Sequence, residues 1–174
     1  MKWKLEEIKD MTAIQYYELA KHHRLVPDSP DHAVAKYQHL EKTAVAMRLT
    51  EGNEELAIFI ICDVLEGNTA TIEMIPHPQH FRGGYNDKLI EAMEPIWGQA
   101  FNTLGVRRLT AFIPESRGRT KKALKACGFR HEGRIRQMIK FEKKNPEDIF
   151  VLGLLKGEQA IPKTGETKDM DGEQ

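Results

Sequence analysis

Apolar residues along this chain follow strand spacing in some stretches and helical spacing in others, and the switches outline its elements. Trp3-Lys4-Leu5 is a short candidate strand. Thr12 suits a helix N-cap, and the helix behind it, to about Arg24, carries Ile14, Tyr17 and Leu19 to Ala20 at near-helical spacing. Pro27 and Pro30 break it. Asp31 then caps a second helix, to about Glu41, with Val34, Tyr37 and Leu40 on one face. Ala44 to Thr50 reads as a strand and Glu51-Gly52-Asn53 as a turn. The unbroken apolar run Leu56 to Leu65 predicts a strand buried on both faces. After Glu66-Gly67-Asn68, residues Thr69 to Ile75 alternate, with Thr71, Glu73 and Ile75 opposite Ile72 and Met74.

Helical spacing returns from about Tyr85 to Leu104, where Leu89, Ile90, Met93, Ile96, Trp97, Ala100, Phe101 and Leu104 form one stripe. Pro95 falls inside it and predicts a kink or a split. Gly105 suits the residue after a helix end. Val106 to Pro114 is the next strand, followed by a basic helix from Ser116 to Ala126, closed by Gly128. Strands from Phe129 to about Glu142 and from Ile149 to Leu155 complete the pattern. The order is β-α-α-β-β-β-α-β-α-β-β, an α/β (α+β) domain over residues 1–157 with a mixed sheet. The last 19 residues, Lys156 to Gln174, hold few apolar side chains and read as a disordered tail, assigned from residue 158 on.

Length and composition narrow the class. The 174 residues suit one domain, and 40% hydrophobic with 30% charged residues favours a packed core. No apolar run approaches membrane-spanning length, and the first ten residues lack a signal-peptide pattern, which predicts a cytoplasmic protein with no membrane partner. Two cysteines, Cys62 and Cys127, require no disulfide framework, and neither has metal-site spacing. The net charge is zero, but it is uneven. Residues 1–81 carry 8 basic and 13 acidic side chains, residues 82–136 carry 12 and 5, and the remainder 6 and 8. A basic middle third in a neutral chain predicts a local anion site. Nucleic acid is an unfavoured partner, because that segment has few aromatic residues to stack on bases.

Two segments carry candidate chemistry. In the first, a strand runs through His77-Pro78-Gln79-His80-Phe81-Arg82-Gly83-Gly84-Tyr85 into the long helix. Glycines at a helix N-terminus let backbone amides approach a phosphate, and Arg82 adds a fixed charge, although the same residues also suit a plain turn. Glu73, in the strand before the loop, is a candidate base for removing a proton from an amine, or simply a solvated strand carboxylate. His77 is a second candidate base, or an ordinary loop histidine. Cys127 and Cys62 read as packing residues. In the second segment the basic run Arg117, Arg119, Lys121, Lys122 and Lys125 is either a solvated face or a contact for phosphate.

The order of these elements, the 77–85 loop and the segment Cys127-Gly128-Phe129-Arg130-His131-Glu132-Gly133-Arg134 together resemble the GNAT acetyltransferase superfamily. The second segment is similar to the close of N-acetyltransferases of the ribosomal-protein type. Ile149 to Leu155 resembles their last strand. The resemblance spans roughly residues 1–157. It implies a twisted mixed sheet of about seven strands with helices on both faces. It also implies acetyl-CoA as co-substrate and a small-molecule or protein amine as acceptor. By position, Ile75, Arg82, Gly83, Gly84, Tyr85, Arg117 and Thr120 would contact the cofactor, and Glu73 or His77 would serve as base. The chain departs from the family in three places. Its loop is one residue short of the common Arg-Gly-x-Gly-Tyr form. Arg117 and Thr120 stand where Asn and Ser are frequent, and Leu124 stands where many members carry the tyrosine that protonates the leaving thiolate. The alternative is a GNAT-fold chain that has lost catalysis, a structural or interaction protein such as a phage internal virion component, located in the virion. Phage particle proteins are the partners of that alternative, and a homodimer is a candidate assembly under either reading.

Overall fold

Seven strands form one mixed sheet in the order β1-β2-β3-β4-β5-β7-β6 in this computed structural model, which describes residues 3–9, 11–22, 30–65, 68–76, 87–140 and 145–160. The strands are β1 (Trp3–Glu7), β2 (Val45–Glu51), β3 (Glu54–Leu65), β4 (Thr69–Pro76), β5 (Arg108–Pro114), β6 (Arg130–Ile139) and β7 (Glu147–Leu155). The helices are α1 (Ala13–His22), α2 (Pro30–Thr43), α3 (Asp87–Trp97) and α4 (Gly118–Ala126). All neighbouring strands pair antiparallel except β4 and β5. A parallel pair needs a crossover, and α3 supplies it.

Alternation along the strands divides the core into two layers. Phe59 and Ile61 of β3, with Ala70 and Ile72 of β4, pack beneath α3 and α4 against Met93, Ile96, Phe101 and Leu124. Ile58, Ile60 and Cys62 point to the opposite face, where Ile75 joins them under Tyr16 of α1 and Tyr37 and Leu40 of α2. Residues 56–62 are therefore buried without a break, but the last three positions of the expected run, Asp63 to Leu65, are exposed, because the pairing of β3 with β4 turns irregular after Cys62.

Several expectations need correction. Ile14, Tyr17 and Val34 were expected on buried helix faces, yet they are 74%, 36% and 53% exposed, and Tyr16 is buried instead. Short helices with two competing apolar faces are oriented by what they pack on. Here Tyr17 meets Tyr37 edge-on at the rim, with centroids 6.0 Å apart. Thr12 does cap α1, in a reciprocal box: Gln15 N–H donates to Thr12 Oγ1, and Thr12 N–H donates to Gln15 Oε1 at 2.7 Å. The second helix begins at Pro30, which places Asp31 inside the first turn rather than at the cap. The long helix splits as Pro95 predicted: α3 ends at Trp97 and a π-helical stretch, Gly98–Thr103, continues its buried stripe. Strand β6 stops at Ile139, short of Glu142, which lies outside the described residues.

The end of α4 explains the Gly128-Phe129 pair. Phe129 N–H donates to Leu124 O and Gly128 N–H to Lys125 O, the two bonds of a Schellman close, with Gly128 at φ +104°. Residues 156–160, the start of the expected tail, run across this point. Ala160 N–H donates to Cys127 O at 3.2 Å, and a Cβ on Gly128 would stand 2.5 Å from Glu158 O. Residues 161–174 lie outside the described residues. Glu132 also has a structural reason. The Glu132 carboxylate lies over Gly153 of β7, where a Cβ would collide with it, and it pairs with both terminal nitrogens of Arg108 on β5.

Candidate functional site

Strands β4 and β5 stay paired for three residues only, Thr69 with Arg108, Ala70 with Leu109 and Thr71 with Thr110. Beyond Thr71 they part. Among the described residues, the edge of β4 from Ile72 onward then faces no strand, so its polar backbone groups on that side are available to a ligand. A cavity of about 960 Å³ opens there. Ile72 to Ile75 of β4 form one wall and Phe112 to Pro114 of β5 the other. Lys36 and His39 of α2 and Ser116 to Thr120, at the start of α4, also line it.

Glu73, Ile75, Arg117 and Thr120 of the sequence candidates all line this cavity. His77, Arg82, Gly83, Gly84 and Tyr85 lie outside the described residues. Of the basic run, Arg117 and Arg119 reach the cavity wall. Lys121 turns away and places its Nζ 3.2 Å from the Phe150 ring centroid, whereas Lys122 and Lys125 are exposed. Glu147 accepts the Ser116 N–H at 3.0 Å and fixes the turn that precedes α4.

Helix α2 carries residues that sequence reasoning missed. Lys36 Nζ donates to Glu73 Oε1 at 2.7 Å, and His39 Nε2 lies 2.8 Å from Asp63 Oδ1. Two side chains three positions apart on one helix thus meet two carboxylates on adjacent strands. Asp63 sits at φ +53°, where the β3–β4 register shifts between Cys62 and Leu65. The i, i+3 spacing of Lys36 and His39 was visible in the sequence, but not the strands they would face. Burial lowers the Lys36 pKa, but the charge and hydrogen bond of Glu73 more than offset it, leaving lysine above its usual value.

The buried groups nearby are held uncharged. Burial pushes the Cys62 thiol up to about 12, and the adjacent Asp63 and Glu73 charges add to it. Tyr16 is likewise pushed up to about 12, chiefly by burial. Cys127, at the C-terminal end of α4, reaches about 12 through burial alone. Neither thiol has the lowered pKa of a nucleophile. Leu124, at the position of the family's tyrosine, is fully buried in the core, so that position supplies no proton donor. No group of three His, Cys, Asp or Glu side chains among the described residues could hold a metal ion. No described helix is long and apolar enough to cross a membrane.

A mixed seven-stranded sheet that opens after a short parallel pairing, with helices on both faces, can be compared with solved structures. Spermidine N-acetyltransferase from Vibrio cholerae, in complex with CoA and spermine, superposes with a TM-score of 0.67 at 12% identity, over 90% of this chain and 97% of that one. The chain has the fold of the GNAT acetyltransferases. A dodecameric form of the Vibrio cholerae enzyme matches with a TM-score of 0.63 at 14% identity, over 88% of this chain and 94% of that one. A chimera of the Vibrio cholerae enzyme with hSSAT gives 0.66 at 12%, over 89% and 96%. No family model matches the sequence, and no curated protein matches it. None of the likenesses favours the ribosomal-protein type or a phage particle.

Proposed function

We propose that this chain is an acetyltransferase that moves an acetyl group from acetyl-CoA to an amine. The observation that carries the reading is the parting of β4 from β5 beyond Thr71, which opens a cavity with a carboxylate, Glu73, in its wall. The cavity suits an extended thioester arm. One side is a strand edge with open backbone groups, and the lining includes Met74, Phe112 and Ile113 together with two arginines, Arg117 and Arg119. When bound, acetyl-CoA supplies an activated acyl group. Backbone groups of β4 hold the arm, and the N–H near Ile75 polarises the carbonyl. Arg117 and Thr120, at the start of α4, face the phosphates. Arg82, Gly83, Gly84 and Tyr85 contribute amides and charge to the pyrophosphate, as their order before α3 suggests. Glu73 accepts the proton of the acceptor amine, which takes the place of Lys36 beside it. His77 is the second candidate for that role. The proton for the leaving sulfur comes from solvent or from the amine itself. A cytoplasmic setting, where acetyl-CoA and reduced thiols coexist, accompanies the reading. A homodimer is its simplest assembly.

Calorimetric titration with acetyl-CoA tests the cofactor before any acceptor is chosen. Binding should weaken in Arg82→Ala and Gly84→Val, and its absence in the unaltered chain at millimolar ligand overturns the reading. Spermine is a reasonable first acceptor to assay, because the Vibrio cholerae enzyme of the same fold forms a complex with CoA and spermine. With an acceptor in hand, Glu73→Gln should lower turnover by about 10²–10⁴-fold while acetyl-CoA affinity changes little. A Glu73→Gln variant turning over at the unaltered rate removes Glu73 from the mechanism and leaves His77→Ala as the next test.

A further inference from the structure

Lys36 is itself a primary amine standing where an acceptor amine is expected. Its Nζ lies 2.7 Å from Glu73 Oε1, and its side chain is 44% exposed on the cavity side of α2. Glu73 and Ile75 are two residues apart on the same face of β4, so their Cα atoms are about 7 Å apart, within the sweep of a lysine side chain. Among the described residues, Lys36 is the lysine that lines the cavity. Lys121 is held over Phe150, and Lys4 pairs with Glu6 on the edge strand β1. The pairing with Glu73 fixes the Lys36 nitrogen beside the group assigned to take its proton.

We propose that Lys36 is an acceptor of the chain's own acetyl transfer, becoming Nε-acetylated in the cavity. This rests on the acetyltransferase reading above. Glu73 takes one proton from the Lys36 ammonium and releases it to solvent. The Nζ lone pair then forms a bond to the thioester carbonyl carbon, the carbon–sulfur bond breaks, and sulfur leaves with the electron pair. The second proton leaves nitrogen and ends on sulfur, so one thiol, one amide and one released proton balance the step. The amide carries no charge, so the ion pair with Glu73 is lost and the carboxylate is left open to an external amine.

The test incubates the full chain with acetyl-CoA and no added amine, then follows intact mass and maps the modified peptide. Acetyl-CoA binding is measured in parallel by calorimetry. The expected result is one acetyl group, about 42 Da, located on Lys36. It should form at a rate that saturates with acetyl-CoA and falls about 10²-fold or more in Glu73→Gln. Lys36→Arg keeps a positive charge beside Glu73 and should take up no acetyl group. Acetyl spread over the lysines at the rate of the heat-unfolded chain overturns the proposal. A chain that binds acetyl-CoA and acetylates an added amine, but leaves Lys36 unmodified, overturns this proposal alone. A chain that does not bind acetyl-CoA overturns the acetyltransferase reading with it.

Discussion

Replacing Gly128 by alanine tests whether residues 158–160 are held on the end of α4. The new side chain stays at φ +104°, a region that costs an L-residue about 1–3 kcal/mol. Its Cβ also meets Glu158 O at 2.5 Å and Ala160 N at 3.0 Å. Both are backbone atoms, so no change of rotamer relieves the contact and the segment must lift away. What the segment contributes sets the ceiling on that second cost. The Ala160 N–H bond to Cys127 O is worth about 0.5–1.5 kcal/mol. The Arg130–Glu158 ion pair, with Arg130 72% exposed, adds at most about 1 kcal/mol. Gly128→Ala should therefore cost about 2–5 kcal/mol in the full chain, but only about 1–3 kcal/mol in a chain ending at Gly157, a coupling of roughly 1–2 kcal/mol. Urea unfolding of the two chains, each with and without the substitution, measures it. A chain ending at Ala160 should behave like the full one. Equal costs in both backgrounds, within about 0.5 kcal/mol, would falsify the docking.

Leu124→Ala, on the buried face of α4, should cost about 2–5 kcal/mol, read as a lowered urea midpoint. Both thiols should resist a thiol reagent at pH 8 in the folded chain, where a pKa near 12 leaves roughly one part in 10⁴ as thiolate, and react at once in denaturant. Arg108 holds Glu132 below its ordinary value of 4.5 through a hydrogen bond and its charge. The stability Glu132 contributes is thus full above about pH 4.5 and lost as pH falls through the lower folded value. Melting temperatures measured from pH 6 down to pH 3 should fall less steeply in Glu132→Gln.

The reading from sequence placed Leu56 to Leu65 as an interior strand, and this is so for 56–62, where seven consecutive apolar residues leave no face for water, but not for Asp63 to Leu65. Pro95 announced the break that appears two residues later, since a residue without an N–H cannot continue the hydrogen-bond ladder. Gly128 marked the end of α4 because only glycine accepts φ +104° cheaply, but the chain crossing over it at 158–160 was invisible in a polar, tail-like composition. Local spacing also failed on α1 and α2. It marked Ile14, Tyr17 and Val34 and passed over Tyr16, and the sheet beneath decided which face was covered. The sequence singled out Glu73 from its place before the loop, and its type and strand position sufficed for that. That β4 and β5 part after Thr71, that a cavity lies between them, and that Lys36 of α2 reaches across to Glu73 are consequences of packing between segments far apart in the chain. Short-range periodicity reports which way a side chain faces along its own element. It carries no information on which distant element arrives to meet it.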